Sequence, residues 1–142
     1  MPNDIFYIII PITDKNIFLK HNGIAELILH RLVEKKSRMH EIDLYCYSLL
    51  PGALHMVFQL SGSYDKTVNY WIASFKRKTG RDIKTTFHAE IRWGKGFSME
   101  HIKNSREFNT VLQGIHEGPE KLGITENGHD YGFARFIKNP VF

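Results

Sequence analysis

A Pro-Gly pair at positions 51–52 stands between two apolar, β-prone runs, and it narrows the available folds more than anything else in the chain. A Pro-Gly pair marks a turn. The run before the pair spans about Glu41 to Leu49, and the run after it about Ala53 to Leu60. Two such runs joined by a turn predict an antiparallel hairpin. An isolated hairpin is unstable in water, so further elements must cover it.

The flanking sequence supplies them. Ile5 to Ile12 is an apolar run that reads as a buried strand ending at Thr13-Asp14. Asn22-Gly23 can open a helix whose Ile24, Leu27, Ile28 and Leu32 share one face. Its end, Glu34-Lys35-Lys36-Ser37-Arg38, is basic, as suits a helix C-terminus. After the hairpin, Ser61-Gly62-Ser63 closes the strand. A second helix is expected from about Asp65 to Thr79, with Val68, Trp71, Ile72 and Phe75 on one face and Gly80 as its stop. A short strand near His88 to Trp93 follows. A last helix is expected from about Asn104 or Ser105, with Glu107 in its first turn, to Gly118-Pro119.

The order β-α-β-β-α-β-α is the split β-α-β pattern of ferredoxin-like folds with an extra C-terminal helix. The fold class is therefore α+β: an antiparallel sheet with helices on one face, plus that extra helix. Residues 1–124 form one domain in this reading. Residues 125–142 form a tail packed on it, with Tyr131, Phe133 and Phe136 as anchors.

Composition agrees. The chain has 142 residues, 42% hydrophobic and 24% charged, enough apolar material for one core without metal or disulfide staples. Cys46 is the single cysteine, so no internal disulfide can form. It lies in the run Leu44-Tyr45-Cys46-Tyr47 and reads as a small buried hydrophobe. A reducing cytoplasm is the expected setting. The run Ile5–Ile10 is too short to span a bilayer, so no membrane partner is expected. A net charge of +4 and a pI near 9.2 favour a polyanionic partner without requiring one.

Four segments carry a more specific signal. Leu50-Pro51-Gly52-Ala53-Leu54-His55-Met56-Val57 puts one histidine just inside a strand after a tight turn. Ile72-Ala73-Ser74-Phe75-Lys76-Arg77-Lys78-Thr79 joins an apolar helix face to a basic run. Trp93-Gly94-Lys95-Gly96-Phe97 sets aromatics among glycines and a lysine. Gly114-Ile115-His116-Glu117-Gly118-Pro119-Glu120-Lys121-Leu122-Gly123-Ile124 closes the series. In order and spacing, over about residues 5 to 124, these segments resemble the single-tyrosine transposases of small insertion sequences and their relatives associated with repetitive extragenic palindromes.

The resemblance implies chemistry, and the chain departs from the family where that chemistry sits. The family places two histidines two residues apart on a strand, where they face one side and hold a divalent metal. Here those places are Ala53 and His55, so His55 is a remnant of the metal pair. The family's nucleophilic tyrosine, which attacks a DNA phosphodiester, falls at Gly114. A third ligand, one helical turn on, falls at Gly118. Glycine can serve as neither nucleophile nor side-chain ligand. No tyrosine lies between Tyr70 and Tyr131, so a small alignment shift restores nothing. Gln113 and Glu117 form an offset pair, but presenting them would rotate the helix by about 100° and its apolar face with it.

Lys76, Arg77, Lys78, Arg81 and Lys84 follow one another in and beyond the second helix, and Arg92 and Lys95 flank Trp93. Alone they fit a solvated helix end as well as a phosphate-binding patch. With the resemblance, contact with the DNA backbone is expected, and Trp93 and Phe97 are either base-stacking platforms or core aromatics. The leading expectation is a dimeric protein that binds hairpin or single-stranded DNA, with cleavage and strand transfer lost. No cofactor is expected; Mg or Mn would be needed only if activity is retained. Two alternatives stay open: a metal-dependent nuclease using replacement residues, and a non-catalytic protein-interaction module.

Overall fold

The structure is a computed structural model, and it describes residues 4–14, 22–33, 41–121 and 133–142. The elements in chain order are β1 (Ile5–Pro11), α1 (Asn22–Val33), β2 (Ile42–Leu50), β3 (Ala53–Leu60), α2 (Val68–Phe87), β4 (Ser98–Ile102), α3 (Ser105–Lys121) and β5 (Ala134–Phe136). The basic segment 34–38, Tyr131 and the end of the fourth motif, 122–124, lie outside the described residues.

The sheet order is β4-β1-β3-β2-β5, with every neighbouring pair antiparallel. β1 and β2 flank β3 and so run parallel to each other, which is the split β-α-β arrangement. The expected α+β class and the hairpin are both present. β2 and β3 pair from Ile42↔Leu60 to Leu50↔Ala53, closed by Pro51-Gly52.

Strand alternation divides the core in two. Ile8, Ile10, Leu54, Met56 and Phe58 face α1 and α2, where they meet Ile24, Ile28, Val68, Trp71, Ile72 and Ile83. Ile5 and Val57 face the other way and pack with Phe108 and Ile115 of α3. A register shift between Leu44 and Cys46 is a bulge that gives both Tyr45 and Cys46 to the α3 side. Thus α1 and α2 share one face, as expected of the two crossover helices, and the extra C-terminal helix covers the opposite face.

Three boundaries differ from expectation. Gly80 does not stop α2, which continues to Phe87 and ends at His88 in the left-handed conformation, φ 54°. A mid-helix glycine costs about 1 kcal/mol relative to alanine. Fully buried Ile83 and the core-packed Phe87 extend the apolar stripe through it and outweigh that cost. A Cβ on Gly23 would stand 2.7 Å from Phe87 Cζ, so glycine is what lets the start of α1 approach the end of α2. The fourth strand is Ser98–Ile102, not His88–Trp93. The latter stretch makes a single bridge, Ile12↔Trp93. Finally, the C-terminal segment contributes a strand: β5 pairs with Cys46–Ser48 along the outer edge of β2. Phe133 packs on the core, whereas Phe136 is half exposed.

Candidate functional site

Two regions hold the residues singled out in the sequence, and the sheet separates them. The first is the face under α3. His55 pairs across strands with Ser48 on one side and Ile9 on the other, and by alternation it points toward α3. Its Nδ1 lies 2.7 Å from the Tyr7 hydroxyl, and the two rings stack at 6.0 Å. Burial lowers the His55 pKa and raises that of Tyr7. Glu100, directly across from Tyr7 on β4, raises the latter further. Both shifts favour neutral groups, a protonated phenol and a neutral imidazole, joined by one hydrogen bond whose donor is set by the imidazole tautomer. This tyrosine is therefore held away from the phenolate form that would make it a nucleophile.

Gly114 and Gly118 lie on α3 as the spacing required. Nothing lies within 4 Å of a Cβ built on Gly114, which is exposed. Gly118 is closer to the sheet, with a Cβ there 3.4 Å from Leu50 Cδ1. Leu50 pairs with Ala53 in the hairpin, so Gly118 and Ala53 occupy the same end of this face. Ser48 Oγ is buried and has no hydrogen-bond partner among the described residues. The neighbouring Cys46 is buried as expected, and its thiol is pushed up to about 12.

A divalent metal would need three or four donors here. The site offers the His55 imidazole, a methyl group at Ala53 and a glycine at Gly118. Among the described residues no three His, Cys, Asp or Glu side chains gather to hold a metal ion. These residues do not fit a metal of the kind the transposase resemblance implies.

The second region is the α2 layer on the far side of the sheet. Arg77, Arg81 and Lys84 are exposed on α2, and Lys78 is half-buried. Lys76 behaves differently. Its ammonium donates to the carbonyls of Gly94 (3.0 Å) and Gly96 (2.8 Å), and partial burial lowers its pKa. It braces a loop whose Gly96 has φ 67°, a conformation that favours glycine. Trp93 in that loop donates through Nε1 to Thr79 Oγ1 (3.2 Å) and packs against Phe75 at 6.0 Å. Trp93 and Phe97 both lie against the core. Arg92 and Lys95 remain exposed beside them.

With sheet order, helix placement and the two regions defined, the molecule can be set beside known structures. It has a transposase-like fold. It is similar to the structure of a REP-associated tyrosine transposase bound to a REP hairpin, with a TM-score of 0.67 and 13% identity over 94% of this chain and 77% of that one. A protein of Deinococcus radiodurans thought to be a transposase matches at a TM-score of 0.51 and 8% identity, over 77% of this chain and 85% of that one. No protein-family model and no curated protein sequence matches. The transposase-like fold is thus shared at a level where sequence similarity has nearly vanished. Among the described residues no helix is long and apolar enough to cross a membrane.

Sequence reading missed Tyr7 as the partner of His55. Its place in an apolar strand gave no cue, because the contact is a diagonal one set by the β1–β3 register.

Proposed function

We propose that this chain is a DNA-binding protein built on the transposase fold, that it takes hairpin or single-stranded DNA, and that strand cleavage and transfer have been lost. One observation carries the reading. The fold is similar to that of a hairpin-bound transposase over 94% of the chain, and the places that the sequence resemblance assigns to the nucleophile and two metal ligands hold Gly114, Ala53 and Gly118. His55, the remaining member, is engaged by Tyr7. The exposed cations Arg77, Lys84 and Arg81 of α2, with Arg92 and Lys95, support attraction to a phosphate backbone. A homodimer working in the cytoplasm without a cofactor completes the reading, on the strength of the family resemblance.

The test uses a DNA hairpin and a duplex of equal length. The protein should retard the hairpin at moderate salt. Incubation with the hairpin and Mg or Mn should leave a single protein band on a denaturing gel. A shifted, protease-sensitive band would establish a covalent adduct and a retained nuclease activity. Failure to retard either DNA would favour the interaction-module alternative.

A further inference from the structure

We propose that the outer face of α2 is a track for single-stranded nucleic acid, with Tyr70 as its stacking platform and Arg77, Arg81 and Lys84 as its phosphate contacts. This deepens the DNA-binding reading above and rests on it for the class of partner.

At 100° per residue, Tyr70, Arg77, Arg81 and Lys84 fall within an arc of about 60° and span about 21 Å of axis. All four are exposed, and Tyr70 is 51% accessible although it is a large aromatic residue. Between Tyr70 and Arg77 the same side carries Ala73 and Ser74, too small to obstruct a ligand lying along the helix. Among the described residues, the side chains of Arg77, Arg81 and Lys84 have no ion-pair or hydrogen-bond partner. The carboxylate within α2, Asp82, is turned about 120° away from Tyr70 and bonded to Arg31. The face therefore presents positive charge with no acidic group of its own helix along it.

Tyr70 distinguishes a single strand from a duplex. A row of cations alone attracts either form. An exposed ring in line with the cations gains further from a base whose face is free, and duplex base faces are occupied by stacking. Lys66 Nζ lies 5.6 Å from the Tyr70 ring centroid and extends the positive track past the aromatic. Lys76, although adjacent in sequence, is directed into the 94–96 loop and stands outside the track.

The probe is an unstructured oligo-dT, compared with a duplex of the same length by fluorescence anisotropy. Each variant is checked for parental circular dichroism. Tyr70→Ala should weaken oligo-dT binding by about 5- to 100-fold, spare duplex binding and leave the salt slope unchanged. Tyr70→Phe should bind like the parent, because the ring suffices for stacking. Arg77→Ala combined with Arg81→Ala should flatten the log–log salt slope on oligo-dT by about 1.4, for two phosphate contacts. Parental oligo-dT binding by Tyr70→Ala, equal weakening on duplex, or an unchanged slope in the arginine variant would each overturn the track. If the parent binds the hairpin while these variants behave as the parent, the track fails and the DNA-binding reading stands. If the parent ignores the hairpin but binds oligo-dT through Tyr70, the hairpin reading fails and the track stands.

Discussion

The Tyr7 hydroxyl and His55 Nδ1, 2.7 Å apart, link β1 and β3 through their side chains on the sheet face that α3 partly covers. The two residues are diagonal neighbours, since Tyr7 pairs with Val57 and His55 with Ile9. The phenol donates to Nδ1 when the imidazole proton is on Nε2, and its oxygen accepts from Nδ1–H in the other tautomer. Tyr7→Phe removes the hydroxyl and keeps the ring. With the phenol as donor, the His55 pKa should then rise, and stability should fall by about 1–2 kcal/mol as Nδ1 loses its partner. An NMR titration of the His55 ring and a urea melt read the two effects. A fall in the His55 pKa would show that the tautomer is the opposite one.

The same histidine makes stability depend on pH. Burial lowers its pKa in the folded state below the ordinary 6.5. Below pH 6.5 the unfolded chain takes up a proton that the folded chain resists. His55 therefore stabilises fully above about pH 6.5, and its contribution declines as pH falls from there to the lowered folded value. Urea midpoints at pH 7.5 and 5.5 should differ more for the parent than for His55→Asn. Equal differences would show that His55 titrates normally.

Gly114 occupies open space on an exposed helix face, so a side chain there should meet no obstacle. Gly114→Ala should stabilise the protein by up to about 1 kcal/mol through helix propensity. Gly114→Tyr should fold like the parent and still form no adduct with hairpin DNA and Mg or Mn, because Ala53 and Gly118 supply no ligands. Cleavage by that single variant would show that the remaining groups suffice for the chemistry.

Lys76 is a brace in the structure, with two backbone carbonyls as partners. Lys76→Ala should cost about 1 kcal/mol, allowing for its partial exposure. Amide exchange should quicken at Gly94 to Phe97. The salt slope for DNA binding should stay at the parental value. A flattened slope with unaltered exchange would instead make Lys76 a phosphate contact.

Elements with strong periodicity were legible from sequence. β1, the β2–β3 hairpin and the apolar stripe of α1 follow from residue pattern, because each buries a regular face. The extension of α2 through Gly80 was not, because a local stop signal competes there with burial of Ile83, which tertiary packing decides. β4 was misplaced since only Ile102 of its five residues is buried, leaving no alternation to read. β5 is three residues long and gains its form from the edge it joins. On the candidate site, sequence located His55, Gly114 and Gly118 on their elements. It could not reveal the Tyr7 contact or the commitment of Lys76 to a loop, since both depend on segments far apart in the chain.

The pairing of β5 with β2 has a consequence for synthesis. Ribosomes deliver β2 well before β5, so the hairpin can form before its outer neighbour exists. During that interval the backbone groups of Cys46 to Ser48 face outward from a nascent sheet, in one of its most apolar strands. A ribosome-stalled nascent chain that stops short of Ala134 would carry an open, sticky margin that the released protein hides.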